Sequence, residues 1–134
     1  MQENFNSLPE NSSAIIIGSN SGIGSEIYKL IKSRFLFTDV YGLSRNSEIS
    51  IDYFSEKSIR KAAEYFSLNF FNVRLIVNCT GYLHDEMFSP EKSSNDINID
   101  YLKKSFAINA IGPALIMKYF SPIFPRQGKV IFAS

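Results

Sequence analysis

The run Ile15-Ile16-Ile17-Gly18-Ser19-Asn20-Ser21-Gly22-Ile23-Gly24 decides how this chain is read. An apolar stretch, Ala14 to Ile17, meets the first of three glycines, and Ile23, Ile27, Leu30 and Ile31 then recur at helical spacing. The pattern reads as strand, tight loop and helix. Unbroken apolar character predicts a central parallel strand covered on both faces. The stripe predicts a helix from Ser21 or Gly22 to Phe35 that packs on the sheet. Glycines let a ligand approach the backbone closely, and a helix N-terminus offers unpaired N–H groups and partial positive charge. The junction therefore suits an anion, and a dinucleotide pyrophosphate is its natural guest. A phosphate-binding NTPase loop is excluded, because no Lys-[Ser/Thr] pair follows the glycines.

Gly18, Gly22 and Gly24 are spaced G-x-x-x-G-x-G rather than G-x-G-x-x-G. This spacing resembles the short-chain dehydrogenase/reductase family, whose glycine motif is T-G-x-x-x-G-[IL]-G. Two later landmarks agree with it in order. Asn78-Cys79-Thr80-Gly81 follows the apolar run Leu75-Ile76-Val77 and resembles the family's Asn-Asn-Ala-Gly, and Asn109 stands where the family has a helix asparagine. The resemblance runs from about Ala14 to Ser134. It implies an α/β fold, a Rossmann-type doubly wound parallel sheet in the order 3-2-1-4-5, truncated before strands 6 and 7. The expected division is a flexible leader, residues 1–13, and an incomplete NAD(P)-binding domain, residues 14–134. The cofactor residues it implies are Gly18, Ser19, Asn20, Ser21, Gly22, Ile23, Gly24, Ser44, Arg45, Asp52, Asn78, Cys79, Thr80 and Gly81.

The second predicted strand, Asp39 to Leu43, closes on Ser44-Arg45-Asn46. In the family the residues just past this strand meet the adenosine ribose. An acid there accepts from a free 2′-hydroxyl, and a base pairs with a 2′-phosphate. Ser44 and Arg45 bring no acid, so resemblance and charge both favour NADP(H) over NAD(H); the plainer reading is an arginine solvated in a turn. Ile49-Ser50-Ile51-Asp52 alternates like a strand, yet about five residues cannot carry a parallel crossover. A short edge segment is expected, and the shortened crossover resembles the C-factor-like members of the family. Asp52 resembles the aspartate beside the adenine, its alternative being a cap or turn at Tyr53 to Ser55.

Further along, Ser55 to Phe70 reads as an amphipathic helix, with Ile59, Ala62, Ala63 and Phe66 on its apolar side. Tyr82 to Ile97 reads as a polar loop whose lone His84 is most simply solvated, so no metal site is expected. A long helix follows from about Ile99 to Tyr119, with Leu102, Phe106, Asn109, Pro113 and Met117 inward and a kink at Pro113. By resemblance, Asn109 disturbs this helix locally and serves catalysis. Lys129 to Ala133 reads as the fifth strand, and Ser134 is either the family's catalytic serine or its upstream neighbour, the neighbour being favoured.

The family's Tyr-x-x-x-Lys would come about a dozen residues after that serine, and Tyr28, Lys29 and Tyr65 lie on helices in the wrong half. The function implied is an NADP(H)-dependent oxidoreductase that moves a hydride between nicotinamide and a small carbonyl or alcohol substrate, inactive as these residues stand. The alternative is a non-catalytic dinucleotide-binding or signalling module of the same fold. The 134 residues carry a net charge of +1 with mixed signs, so neither nucleic acid nor an anionic membrane is an expected partner. The single cysteine, Cys79, cannot form an internal disulfide. No signal peptide or membrane-length apolar segment is read, and a cytoplasmic location is expected. A homo-oligomer through the long helix is the assembly the family implies.

Overall fold

In the computed structural model, which describes residues 8–20, 22–34 and 36–134, β1 (Ser13–Ile17) is buried at every position. Its Ser-Ala-Ile-Ile-Ile sequence has an apolar partner on each face of a parallel sheet. β2 (Asp39–Leu43) and β3 (Val73–Asn78) flank it in parallel, and β4 (Ile131–Ala133) pairs with β3. The sheet order is β2-β1-β3-β4. The parallel Rossmann-type sheet is as expected, with one change: the anticipated edge strand Ile49–Asp52 is reduced to a single parallel bridge between Ser44 and Ser50. Ser47 explains this locally. Its hydroxyl lies within hydrogen-bonding distance of Ser44 O, Ser44 N–H and Ile49 O, which closes a tight turn where a ladder would otherwise extend.

α1 (Gly22–Ser33) covers one face of the sheet, over Ala14, Ile16 and Leu75. α2 (Glu56–Asn69) packs on the other face with the long helical run, over Ile15, Ile17, Leu43 and Ile76. α2 starts where expected because the Ser55 hydroxyl accepts from Ser58 N–H. The long run consists of α3 (Ile99–Phe106), a π-turn (Ala107–Ile111) and α4 (Gly112–Phe120). The Asn98 side chain caps α3 by accepting from the Asp100 and Tyr101 N–H groups. Tyr119 and Lys118 both donate to Glu56 Oε1, at 2.6 and 3.0 Å, and tie α4 to the start of α2.

The sides of two helices differ from expectation. On α1, Gly24 and Ile31 are buried while Ile23 is 76% exposed and Leu30 also faces outward. On the long run the buried residues are Tyr101, Gly112, Ile116 and Phe120, whereas Phe106 and Met117 are exposed. Both stretches carry two apolar stripes one residue apart, about 100° around the helix, and the sheet takes only one of them. The expectation that no membrane-length apolar segment occurs is also corrected. The helical run Ile99–Ile123 has 25 residues and is long and apolar enough to cross a bilayer by length and composition. Met1 to Ser7, Ser21 and Phe35 lie outside the described residues, and with them most of the expected leader, one expected cofactor contact and the expected end of the first helix.

Candidate cofactor site

Register sets the site. Ile17 of β1 is level with Leu43 of β2 and with Asn78 of β3, so the chain leaves all three strands side by side, at Gly18, Ser44 and Cys79. The connections from these central strands diverge there, and the carboxyl end of a parallel sheet at such a point is open to a ligand. Gly18 N–H and Ser19 N–H both donate to Leu43 O, and Cys79 N–H donates to Ile17 O. The glycine loop is thereby pinned between its neighbours.

The glycines have separate duties. Gly18 has φ +83° and lies so near Thr80 and Cys79 that a Cβ would come within 3.0 Å of Thr80 Cγ2. Gly24 lies against the carbonyl of Gly18: a Cβ there would fall 1.9 Å from that oxygen. This contact lets α1 begin immediately beneath the loop. Gly22 has φ +56° with open space around its missing Cβ, so its role is backbone conformation and clearance. Gly42, which carries no sequence signal of its own, admits Ser19; its Cβ would meet Ser19 Oγ at 2.4 Å.

A cleft of about 430 Å³ opens above these strand ends. Of the expected residues, Gly18, Asn20, Ser44, Arg45, Asp52, Cys79, Thr80 and Gly81 line it. Ser19, Gly22, Ile23, Gly24, Asn78, Asn109 and Ser134 do not; Ser19, Gly24 and Asn78 lie behind it as supports, and Ile23 points outward. Arg45 is exposed at the rim, beyond the turn in which Ser44 Oγ accepts from Asn46 N–H. Asp52 faces the cleft and also closes a turn, its Oδ1 accepting from Phe54 N–H at 3.0 Å. Asn78 Oδ1 accepts from the Thr80 hydroxyl at 2.7 Å, and its amide donates to Ser134 Oγ at 3.1 Å, linking the ends of β3 and β4.

The far side of the cleft rests on the long helix. Asn109 sits in the π-turn, where Gly112 N–H reaches back to Ala107 O. Pro113 lacks an N–H for the Asn109 carbonyl, which accounts for the wider turn. The Asn109 side chain then faces the loop after β3, accepting from Tyr82 N–H and donating to Tyr82 O. Tyr101 O–H donates to Leu83 O, and Lys104 pairs with Asp85. Lys104 beside Asp85, helped by the Met87 and Phe88 N–H groups, draws the Asp85 carboxyl down to about 2. Lys104 also lies 4.9 Å from the centre of the Tyr82 ring.

Tyr53, Phe54, Tyr82, His84, Asp85, Lys104 and Ile108 line the cleft without having been expected there. Burial, the leading cause, pushes the Tyr53 hydroxyl up to about 12, while hydrogen bonding with Thr80 and the Arg45 charge act in the opposite direction. The chain also holds two internal Tyr-x-x-x-Lys spacings, Tyr28/Lys32 and Tyr53/Lys57. Lys32 Nζ lies 3.2 Å from Tyr28 Oη, but both are on α1, outside the cleft. Lys57 is exposed at the start of α2, likewise outside it. Among the described residues, no group of three or more His, Cys, Asp or Glu could hold a metal ion.

No protein-family model and no curated protein matches the sequence. Solved structures do match the fold. The aldohexose dehydrogenase of Thermoplasma acidophilum in ligand-free form superposes with a TM-score of 0.72 at 14% identity, over 92% of this chain and 49% of its own. A short-chain dehydrogenase/reductase from Serratia marcescens gives 0.70 at 17%, over 92% and 57%. The NADPH-bound carbonyl reductase from chicken fatty liver gives 0.67 at 15%, over 86% and 52%. The chain thus spans about half the length of these structures. It has the Rossmann-like fold of the short-chain dehydrogenases/reductases.

Proposed function

We propose that this chain is the cofactor-binding part of an NADP(H)-dependent short-chain oxidoreductase. The observation that carries the reading is the convergence of Gly18 and Asn20 of the glycine loop, Cys79, Thr80 and Gly81 after β3, and Arg45 after β2 on one cleft at the carboxyl ends of β1, β2 and β3. The residues fit a dinucleotide. Gly18 leaves no side chain in the path of a pyrophosphate, and the N–H groups that open α1 offer it positive potential. Arg45 at the rim, with no acid beside it at the end of β2, supplies the charge for a 2′-phosphate. Thr80 and Gly81 are small enough for the cofactor to pass along the turn.

When bound, the nicotinamide would supply or accept the hydride exchanged with a carbonyl or alcohol carbon. The substrate class is a small-molecule carbonyl or alcohol. Among the cleft residues the tyrosines are Tyr53 and Tyr82 and the lysine is Lys104, which is engaged by Asp85 and lies over the Tyr82 ring rather than free to serve a proton-carrying tyrosine. We infer that residues 14–134 bind cofactor without turning substrate over, and that the working location is the cytoplasm. The test compares dissociation constants for NADPH and NADH by fluorescence titration. The reading expects NADPH to bind about tenfold more tightly, on the order of one added charge-assisted contact. Equal constants, or preference for NADH, would contradict the NADP(H) reading.

A further inference from the structure

The parallel bridge between Ser44 and Ser50, with Ile51 N–H donating to Ser44 O, lays the turn that carries Arg45 beside the chain that leads into Asp52. Arg45, Asp52 and Phe54 line the same cleft, and the Arg45 charge is felt at Tyr53 between the last two. Phe54 is 60% exposed. Among the described residues it is the one exposed large apolar side chain that lines the cleft.

The fold does not account for this ring. Phe54 is the third residue of a turn closed by Ser55 N–H, which donates to Asp52 O at 3.1 Å. Such turns favour Gly, Asn, Asp or Ser, which would not present an apolar ring to water. Tyr53 beside it packs on the core, whereas Phe54 belongs to neither buried cluster. Its backbone is nonetheless held in place. Phe54 N–H donates to Asp52 Oδ1 at 3.0 Å, Asp52 N–H donates to Ser58 Oγ at 3.0 Å, and the Ser55 hydroxyl caps α2. A flat apolar face on a fixed stem suits a flat heteroaromatic ligand, because a base gains by stacking on such a ring. A pyrophosphate or a ribose has no such face. Of the parts of a dinucleotide that would rest on the Arg45 side, the adenine is the one the ring fits.

Resting on the NADP(H) reading above, which puts the 2′-phosphate at Arg45, we propose that Phe54 is the stacking platform for the adenine of the bound dinucleotide. The base is common to NADP(H) and NAD(H), so Phe54 contributes affinity for both and Arg45 the preference between them.

The 134-residue chain has no tryptophan, so Phe54→Trp introduces a single indole at this position. Titration with adenosine 2′,5′-bisphosphate should quench that indole saturably. Phe54→Ala should raise the dissociation constants of the bisphosphate, NADPH and NADH alike, each about tenfold, the size of one lost base stack. Its ligand-free melting temperature should stay level, because the ring is exposed. An indole left unquenched at saturating bisphosphate, or unchanged affinities in Phe54→Ala, overturns the proposal and leaves the cofactor reading intact. A weakening confined to the two dinucleotides, with the bisphosphate bound as before, puts the ring against the nicotinamide half and also overturns it. If Phe54→Ala does not fold, the quenching in Phe54→Trp decides alone. If the parent chain binds neither NADPH nor NADH, the cofactor reading itself fails and the role of Phe54 falls with it.

Discussion

Asn109 holds Tyr82 by both of its backbone groups: its Oδ1 accepts from Tyr82 N–H at 2.8 Å and its Nδ2 donates to Tyr82 O at 2.7 Å. The π-turn of the long helix is thereby joined to the loop that leaves β3. Asn109→Ala removes both bonds while solvent can reach the freed groups, so the expected loss is about 1–2 kcal/mol. Amide exchange at Tyr82 should accelerate more than exchange in β1. Unaltered protection of the Tyr82 amide would contradict this account of the clamp.

The same loop carries an acid-sensitive latch. Asp85 is held down to about 2 from 3.8, chiefly by Lys104, so its ionised form is favoured in the folded loop. A depressed carboxylate stabilises above its unfolded pKa, and the contribution disappears as pH falls through the folded value. The latch should therefore be intact above about pH 4 and open between about pH 4 and 2. Following the Met87 and Phe88 amide shifts by NMR should give a midpoint near 2, and Asp85→Asn should abolish the transition. A midpoint near the ordinary value of 3.8 would mean that Lys104 does not hold Asp85 in solution.

The glycine loop separates two kinds of glycine. A methyl at Gly24 would collide with the Gly18 carbonyl, so Gly24→Ala should cost about 3 kcal/mol or prevent folding. A methyl at Gly22 meets nothing and strains only a left-handed backbone, so Gly22→Ala should cost about 1–2 kcal/mol. Gly22→Asn should cost less than Gly22→Ala, because asparagine tolerates that conformation better. Urea denaturation of the three variants gives the ranking. Equal losses at Gly22 and Gly24 would show that the close approach to Gly18 is absent.

The elements around the cleft were largely legible in the sequence. Ile15-Ile16-Ile17-Gly18 and Leu75-Ile76-Val77-Asn78 carry their own strand signals, and Ser55 and Asn98 cap helices within one turn of where the pattern begins. What could not be read depends on partners distant along the chain. Ile23 and Phe106 belong to apolar stripes that helical periodicity alone cannot tell from the buried stripes beside them. The 49–52 segment alternates like a strand, but the turn built by Ser47 wins. Tyr53 reaches the cleft because Gly112, 59 residues further on, makes room for it, and Lys104 meets Asp85 from 19 residues away along the chain. No local signal announces either encounter.

The most direct measurement of the central claim is isothermal titration calorimetry of NADPH against the 134-residue chain and its Arg45→Ala variant, with folding of both verified by circular dichroism. The account predicts saturable binding by the parent chain and about tenfold weaker binding by the variant, the size of one charge-assisted contact to the 2′-phosphate. Absence of NADPH binding by a folded parent chain, or equal binding by the two, would contradict it.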